Sequence, residues 1–244
     1  MLVEVSKLPT VRNCILGNLP QSDFASIRPF LHSVFLKERT VLQEPARRIE
    51  YINFIETGIV SLRTLATGNV LETATVGSQG AVGVAVALGA QISMHQSIVL
   101  IPGRALRICV NDLYRSMLER PRIREHLLRY VEALMIQGSQ TAFCCAHHDL
   151  EKRLARWLSL VCDALGGDVL PITHDHLSTI LGVRRAGVTE TLARFEELGL
   201  IRKMRGVLHV RDRTVLKQRA CCCYGIIAKA YYSARTLRSD DEAN

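Results

Sequence analysis

The sequence of 244 residues lacks any apolar run long enough to cross a bilayer. Its most apolar stretch, Ala81 to Ala90, is short and rich in Gly and Ala. The start, MLVEVSKLPTVRN, has no uninterrupted apolar core of the kind a secretion signal needs. A cytoplasmic protein with no membrane partner is therefore expected. Catalytic constellations are missing as well. No Ser/His/Asp set, paired carboxylates or Walker loop stands in a suitable context, so no catalytic residue and no enzyme are predicted. The Gly-rich run Gly77–Gly89 lacks the strand–glycine–helix frame of a dinucleotide site. CxxC spacing is absent too, although there are eight cysteines: Cys14, Cys109, Cys144, Cys145, Cys162, Cys221, Cys222 and Cys223. Without a secretion signal they read as thiols rather than a disulfide framework. Cys144-Cys145 beside His147-His148, and the triplet Cys221–Cys223, raise metal binding or redox sensing. Adjacent cysteines point in different directions, however, and lack the spacing of zinc sites. Inert thiols and no metal ligands are the expectation. His174 and His176, two apart on a helix, face different ways and do not make a paired ligand.

What is present is positive charge and apolar material. Hydrophobic residues make up 48% of the chain, enough for a substantial core, and the formal net charge is +8. That balance suits a polyanionic partner. Its placement is more specific. Arg202, Lys203, Arg205, Arg211, Arg213, Lys217 and Arg219 fall in one short window that holds a single acid, Asp212.

Just before that window, Ile172 to Ile201 reads as two helices around a tight turn. Thr173 is a hydroxyl N-cap. Leu177, Ile180 and Leu181 recur at helical spacing, and Gly182 breaks the chain. A second helix runs from about Arg185 to Leu198, with Val188, Leu192 and Phe195 inward. Arg184, Arg185, Ala186, Thr189, Glu190 and Arg194 are left outward or toward its N-terminal end. Upstream, a helix from Leu150 to about Leu165 buries Leu154, Trp157, Leu158 and Val161, and Val169–Ile172 is a short strand. Downstream, Ile201–Met204 and Val207–Val210 form a hairpin with a basic tip at Arg205-Gly206. Helix, strand, helix-turn-helix and basic hairpin together predict a winged helix-turn-helix. A closing helix is expected over 214–235. An ordinary helical hairpin in a core remains the bland alternative.

The N-terminal half has a different texture. A small cover helix is expected within 12–31, with Ser22 and Asp23 as cap candidates. Short β-prone runs follow: Val34–Leu36, Val41–Leu42, Tyr51–Ile55, Ile59–Leu65, Val70–Val76, Ser97–Ile101 and Ala105–Val110. Turn signals separate them at Glu44-Pro45, Thr57-Gly58, Thr67-Gly68-Asn69, Gly77 and Pro102-Gly103. Such spacing predicts an all-β barrel or sandwich, with 66–69 as a hairpin loop. Asn111-Asp112 caps a short helix ending near Pro121, and a longer one runs from about Arg122 to His147. Within it Leu127, Val131, Leu134, Gly138, Thr141 and Cys145 alternate steps of four and three, a seam for a second copy of the chain. Packing of that helix on its own barrel is the alternative. The chain divides into 12–110, a β domain; 111–148, a seam helix and hinge; 149–220, a winged helix-turn-helix domain; and 221–244, a C-terminal helix and tail.

This order of elements resembles the Crp/Fnr family of bacterial transcription regulators over nearly the whole chain. The residues that carry the resemblance are Ile172-Thr173, Leu177 through Gly182, Val188, Leu192 and Leu198 through Ile201. The runs GRALRI and RRAGVTETLARFEELGLI resemble an α-proteobacterial branch. The resemblance implies an α+β protein: an N-terminal cyclic-nucleotide-binding-type β-roll, a long dimerisation helix and a C-terminal winged helix-turn-helix. It implies a homodimer on double-stranded DNA, with RNA polymerase and an unidentified small-molecule effector as further partners. In cyclic-AMP-responsive members a glutamate engages the ribose and an arginine the cyclic phosphate. The matching region here offers Gly77, Gln79, Gly80 and Val82 as an effector pocket, and no arginine lies between Leu71 and Pro102. A cyclic phosphate needs a cation or strong donors, so the usual cyclic AMP chemistry is not expected. Only Cys14 lies near the N-terminus, which argues against an iron–sulfur cluster. No cofactor is predicted. In the reading helix, Arg185 matches the first base-reading arginine and suits guanine O6 and N7. Ala186, Gly187 and Glu190 depart from the family pattern, which implies a different operator. Thr173 and His174 match phosphate-contact positions, and Arg205 on the wing would touch the DNA backbone. The competing reading is a ligand-binding or protein-interaction module with a degenerate helix-turn-helix.

Overall fold

Two long strands form the spine of the N-terminal half. The structure, a computed structural model, describes residues 11–236. Strand β3 (Tyr51–Ala66) pairs antiparallel with β6 (Gln96–Cys109) from Tyr51↔Cys109 to Arg63↔Gln96. Different partners flank the two ends of this ladder. Strand β1 (His32–Leu36) pairs with β6 at Gly103–Arg107, and β2 (Val41–Gln43) pairs with it near Ser97 and Ile98. Strand β4 (Asn69–Val76) lies along the second half of β3, and β5 (Ala81–Val82) along Asn53 and Phe54. The result is a six-stranded antiparallel sheet that rolls on itself.

Four expected strands are therefore two. Thr57-Gly58 and Pro102-Gly103 do not end strands; they are facing irregularities within β3 and β6, with register shifts between Ile55 and Val60. Gly58 has φ +86°, and a Cβ on Gly103 would stand 2.0 Å from the Thr57 carbonyl oxygen. A bulge uses glycine for the same steric reason as a turn does, so residue type alone does not separate them. The hairpin at 66–69 forms as expected, with Thr67 and Gly68 both at positive φ and Ala66 opposite Asn69.

At the N-terminus, α1 (Cys14–Gly17) is capped by Asn13, whose side chain accepts from the Ile15 and Leu16 N–H groups. Its Nδ2 donates to the carbonyls of Ile55 (2.9 Å) and Gly80 (2.8 Å). The cap expected at Ser22 or Asp23 is not used. Helix α2 (Gln21–Ile27) begins after Pro20 without a side-chain cap, and buried Asp23 instead faces Arg120 at 3.5 Å. Helix α3 (Val110–Glu119) likewise starts after Cys109 with no side-chain cap, so Asn111-Asp112 lies inside it.

Helix α4 (Pro121–His147) opens on Pro121, where a missing N–H costs nothing. The expected seam has the right period, and three of its residues, Leu127, Val131 and Thr141, are already buried within the chain. Leu127 and Val131 are buried in a core shared with Phe54, Ile108 and Leu113. Leu134 packs against the roll as well. Thr141 accepts a hydrogen bond from Arg156 at 3.1 Å, Cys145 one from Arg153 at 3.4 Å, and Gly138 is half-buried. Steps of four and three define a stripe on any side of a helix. The stripe one residue further on, Leu128, Glu132, Met135, Ser139, Ala142 and Ala146, has the same steps, and its members from Glu132 onward are all exposed. Met135 is 65% exposed and neighbouring Phe143 47%.

The C-terminal region is not one helix. Helix α8 (Arg213–Arg219) ends at Ala220, and α9 (Cys223–Thr236) starts anew; no Gly or Pro marks that break in the sequence. Helix α9 lies along α4, where the Tyr231 hydroxyl donates to Gln137 Oε1 at 2.5 Å. The tail beyond 236, part of the expected 221–244 unit, lies outside the described residues.

Candidate nucleic-acid interface

Helix α5 (Leu150–Leu165) carries the inner side of the C-terminal domain. Asp149 caps it by accepting from the Lys152 N–H at 2.9 Å. Leu154, Trp157, Leu158 and Val161 are buried, as the spacing predicts. Against them pack α6 (His174–Leu181) and α7 (Arg185–Glu197) through Leu177, Ile180, Leu181, Val188, Leu192 and Phe195. Thr173 caps α6 by accepting from the His176 N–H at 3.2 Å, and Gly182 ends it at φ +62°. Strands β8 (Ile201–Met204) and β9 (Val207–Val210) form the wing, and β7 (Val169–Leu170) adds a third strand to it. Arg205 and Gly206 are exposed at its tip.

Helix α7 points its first turn outward. Arg184, Arg185, Ala186, Thr189 and Glu190 are all exposed. Arg184 occupies the cap position and supplies no side-chain acceptor. The N–H groups of that turn, with the positive end of the helix dipole, suit a phosphate. Arg185 Nε lies 3.1 Å from Asp175 on α6, and both side chains are exposed. Such a pair holds the guanidinium loosely. His174 Nδ1 lies 3.0 Å from Thr189 Oγ1. Burial, followed by the charges of Arg185 and Lys203, pushes His174 below the ordinary histidine value, so at neutral pH it is a neutral partner rather than a cation. Gly187 differs from its expected role. It turns toward α5, where a Cβ would come 3.1 Å from Leu150 Cδ2, and so governs helix approach.

Of the seven cations counted between 202 and 219, four are neutralised by acids from outside that window. Lys203 pairs with Glu196 at 2.9 Å, Lys217 with Asp163 at 2.8 Å, Arg219 with Glu151 at 3.1 Å, and Arg213 with Asp168. Arg202, Arg205 and Arg211 make no ion pair among the described residues. Counting along the sequence overstated the positive field, because pairing occurs across the fold.

The roll and the winged domain touch directly. Ile59, Leu100 and Ile101 of the roll belong to the same apolar cluster as Trp157 and Leu158. Trp157 Nε1 donates to the buried Glu72 carboxylate at 2.6 Å, and Thr75 and Ser61 hydroxyls also serve that carboxylate. Burial raises the Glu72 pKa above the usual carboxylate value, against the opposing pull of these hydrogen bonds and of Arg63. The expected effector pocket is filled by the same packing. A Cβ on Gly77 would meet Ala164 of α5 at 2.7 Å, and one on Gly80 would meet the Tyr130 ring of α4 at 2.3 Å. Val82 is buried, and the cavity beside Gln79 has about 10 Å³, room for no more than a water. Gly77, Gln79, Gly80 and Val82 thus join the roll to α4 and α5 and do not line an open ligand site.

A long helix thus joins a β-roll to a winged helix-turn-helix. Residues 152–219 match the Crp-like helix-turn-helix domain, which covers α5 to α8. No curated protein matches the sequence. Solved structures share the fold at low identity. CLP of Xanthomonas campestris, described as a c-di-GMP-responsive global regulator, is 15% identical with a TM-score of 0.64, over 79% of this chain and 100% of that one. FixK2 from Bradyrhizobium japonicum is 13% identical with a TM-score of 0.67, over 78% and 98%. TTHA1359, a CRP/FNR-family transcriptional regulator from Thermus thermophilus, is 21% identical with a TM-score of 0.57, over 78% and 98%. The chain therefore carries a Crp-like helix-turn-helix domain within the architecture of Crp/Fnr regulators. Among the described residues no helix is long and apolar enough to cross a membrane.

Proposed function

We propose that this protein is a cytoplasmic transcription regulator of the Crp/Fnr type, of the α-proteobacterial branch, which binds a palindromic operator as a homodimer and is not an enzyme. The observation that carries this reading is the exposed first turn of α7, with Arg184 and Arg185 beside an N-terminus that has no side-chain cap, inside a Crp-like domain. Arg185 reads a guanine through O6 and N7. Glu190, one turn on, accepts from a cytosine N4, and Ala186 offers only apolar contact, so the operator differs from one read by two arginines. Thr173, His174 and Arg205 contact the DNA backbone.

The second copy packs on the outward stripe of α4, around Met135, Ser139, Ala142 and Phe143, where small residues let two helices approach. Two reading helices then stand about 34 Å apart, one turn of DNA. Control does not use the usual cyclic AMP chemistry, because residues 71–102 offer no Lys or Arg to a cyclic phosphate. Control by a small-molecule effector of another kind, and contact with RNA polymerase, complete the reading.

In-vitro selection of bound DNA tests the reading. A palindrome is expected, bound with an affinity that falls steeply with salt. Enrichment of no sequence, or a flat salt response, would leave a protein-interaction module with a degenerate helix-turn-helix.

A further inference from the structure

The last turn of α4 and the start of α9 bring four metal-ligating side chains together. Cys144 and His148 are four residues apart and share one side of the helix end. Cys221 and Cys223 alternate around Cys222, so both turn inward while Cys222 is exposed. The ligating atoms of Cys144, His148, Cys221 and Cys223 all lie within 4.8 Å of one another. Cys144 Sγ stands 3.4 Å from Cys221 Sγ, and Cys223 Sγ 3.7 Å from His148 Nδ1. A tetrahedron built on metal–sulfur bonds of about 2.3 Å has edges of about 3.8 Å. The cluster thus has the size of one ion's coordination sphere, too tight for a multi-iron cluster. Neighbouring cysteines within each run do diverge, as expected from the sequence, but one face of each run meets the other across the fold.

The charges also fit. Arg156 of α5 is a buried cation bonded to Thr141, three residues before Cys144. Its Nη1 is held by Thr141, while its Nε is buried without a hydrogen-bond partner. Three thiolates around a dication leave one negative charge, which Arg156 balances. The His148 ring has no hydrogen-bond contact among the described residues other than the Cys223 thiol. An imidazole among three thiols is poorly explained as apolar filling.

We propose that Cys144, His148, Cys221 and Cys223 bind a single zinc-class divalent ion in a closed tetrahedral site that clamps α9 to the end of α4. With four protein ligands the site has no open position, so its role is structural and not catalytic. Ligation expels the thiol protons to solvent, and affinity falls as pH drops. His148 is the C-cap of α4, and Asp149 caps α5. The ion therefore sits at the joint between sensor helix and DNA-binding domain.

The test is metal loading of the full-length, reduced protein under anaerobic conditions. One Zn²⁺ per chain is expected, with a rise in Tm. Co²⁺ should give the intense visible bands of a tetrahedral site with sulfur-to-cobalt charge transfer. Cys144→Ser, Cys221→Ser and Cys223→Ser should each weaken binding beyond the roughly 100-fold typical of losing an outer-shell partner. Cys222→Ser and Cys145→Ser should bind as the parent does. His148→Cys should retain the ion with shifted cobalt bands, which separates loss of a ligand from loss of folding. A metal content near zero after loading, an octahedral cobalt spectrum, or equal loss in Cys222→Ser and Cys223→Ser would overturn the proposal. So would a Cys144–Cys221 disulfide formed in the presence of stoichiometric zinc. These readouts do not depend on DNA binding.

Discussion

At the scale of single residues, two acids matter: exposed Asp175, paired with Arg185, and buried Glu72. Asp175 holds Arg185 in the free protein, and the arginine must leave it to reach a base. An exposed pair is worth less than about 1 kcal/mol. Asp175→Asn should therefore tighten DNA binding by up to about fivefold in anisotropy titrations at fixed salt, with unchanged sequence preference. Arg185→Ala should instead cost about 1–3 kcal/mol at one base pair of the selected operator. An equal loss on all sequences would make Arg185 a backbone contact. Glu72 works on stability. Its folded-state pKa is raised, so the folded protein holds this proton more tightly than the unfolded chain does. Stability from this group is present below the ordinary value of 4.5 and falls as pH rises from there through the raised folded value. Glu72→Gln keeps an acceptor for Trp157 and removes the titration. Its melting temperature should lack that downward slope, and an unchanged pH profile would refute the assignment. Thr173, Gly182 and the buried faces of α6 and α7 were legible from the sequence because caps and helical periods are local. Asn13, Glu72 and the sulfur cluster were not, because their partners lie far along the chain.

At the scale of elements, glycine positions separate what was read well from what was not. Thr57-Gly58 and Pro102-Gly103 look like turns and are bulges, and only pairing across the sheet distinguishes them. Gly103→Ala should destabilise the fold by about 3 kcal/mol, since its Cβ would strike backbone that has no room to move. Gly138 is the opposite case. It lies inside α4, and a Cβ there would meet nothing within 4 Å. Gly138→Ala should stabilise by about 0.5–1 kcal/mol in urea denaturation. A destabilised or dissociated variant would mean that a second helix approaches at Gly138 after all, as a seam from Leu127 to Cys145 requires. Helix length and heptad period were readable in α4. Which stripe faces outward was not, because the roll, α5 and α9 choose it.

At the scale of the molecule, the outward stripe of α4 carries the assembly in the proposed dimer. Met135→Lys with Ala142→Arg should convert a dimer to a monomer in sedimentation equilibrium and abolish binding to a full palindrome, without lowering monomer helicity. A variant pair that stays dimeric would move the interface elsewhere. The fold class and the winged domain were evident from element order, whereas the intimate fit of roll against reader was hidden. Ile59, Leu100 and Ile101 are spaced along β3 and β6, yet they finish the core built around Trp157. That sharing has a consequence during synthesis. The roll is complete once residue 109 has emerged, but the surface that covers its three apolar side chains arrives with α5, and the core they share closes only with Leu216. At translation rates of about 5–20 residues per second, the core that these side chains share stays incomplete for on the order of 5–20 seconds after the roll is made. The chain is most vulnerable to aggregation, and most dependent on chaperones, in that interval.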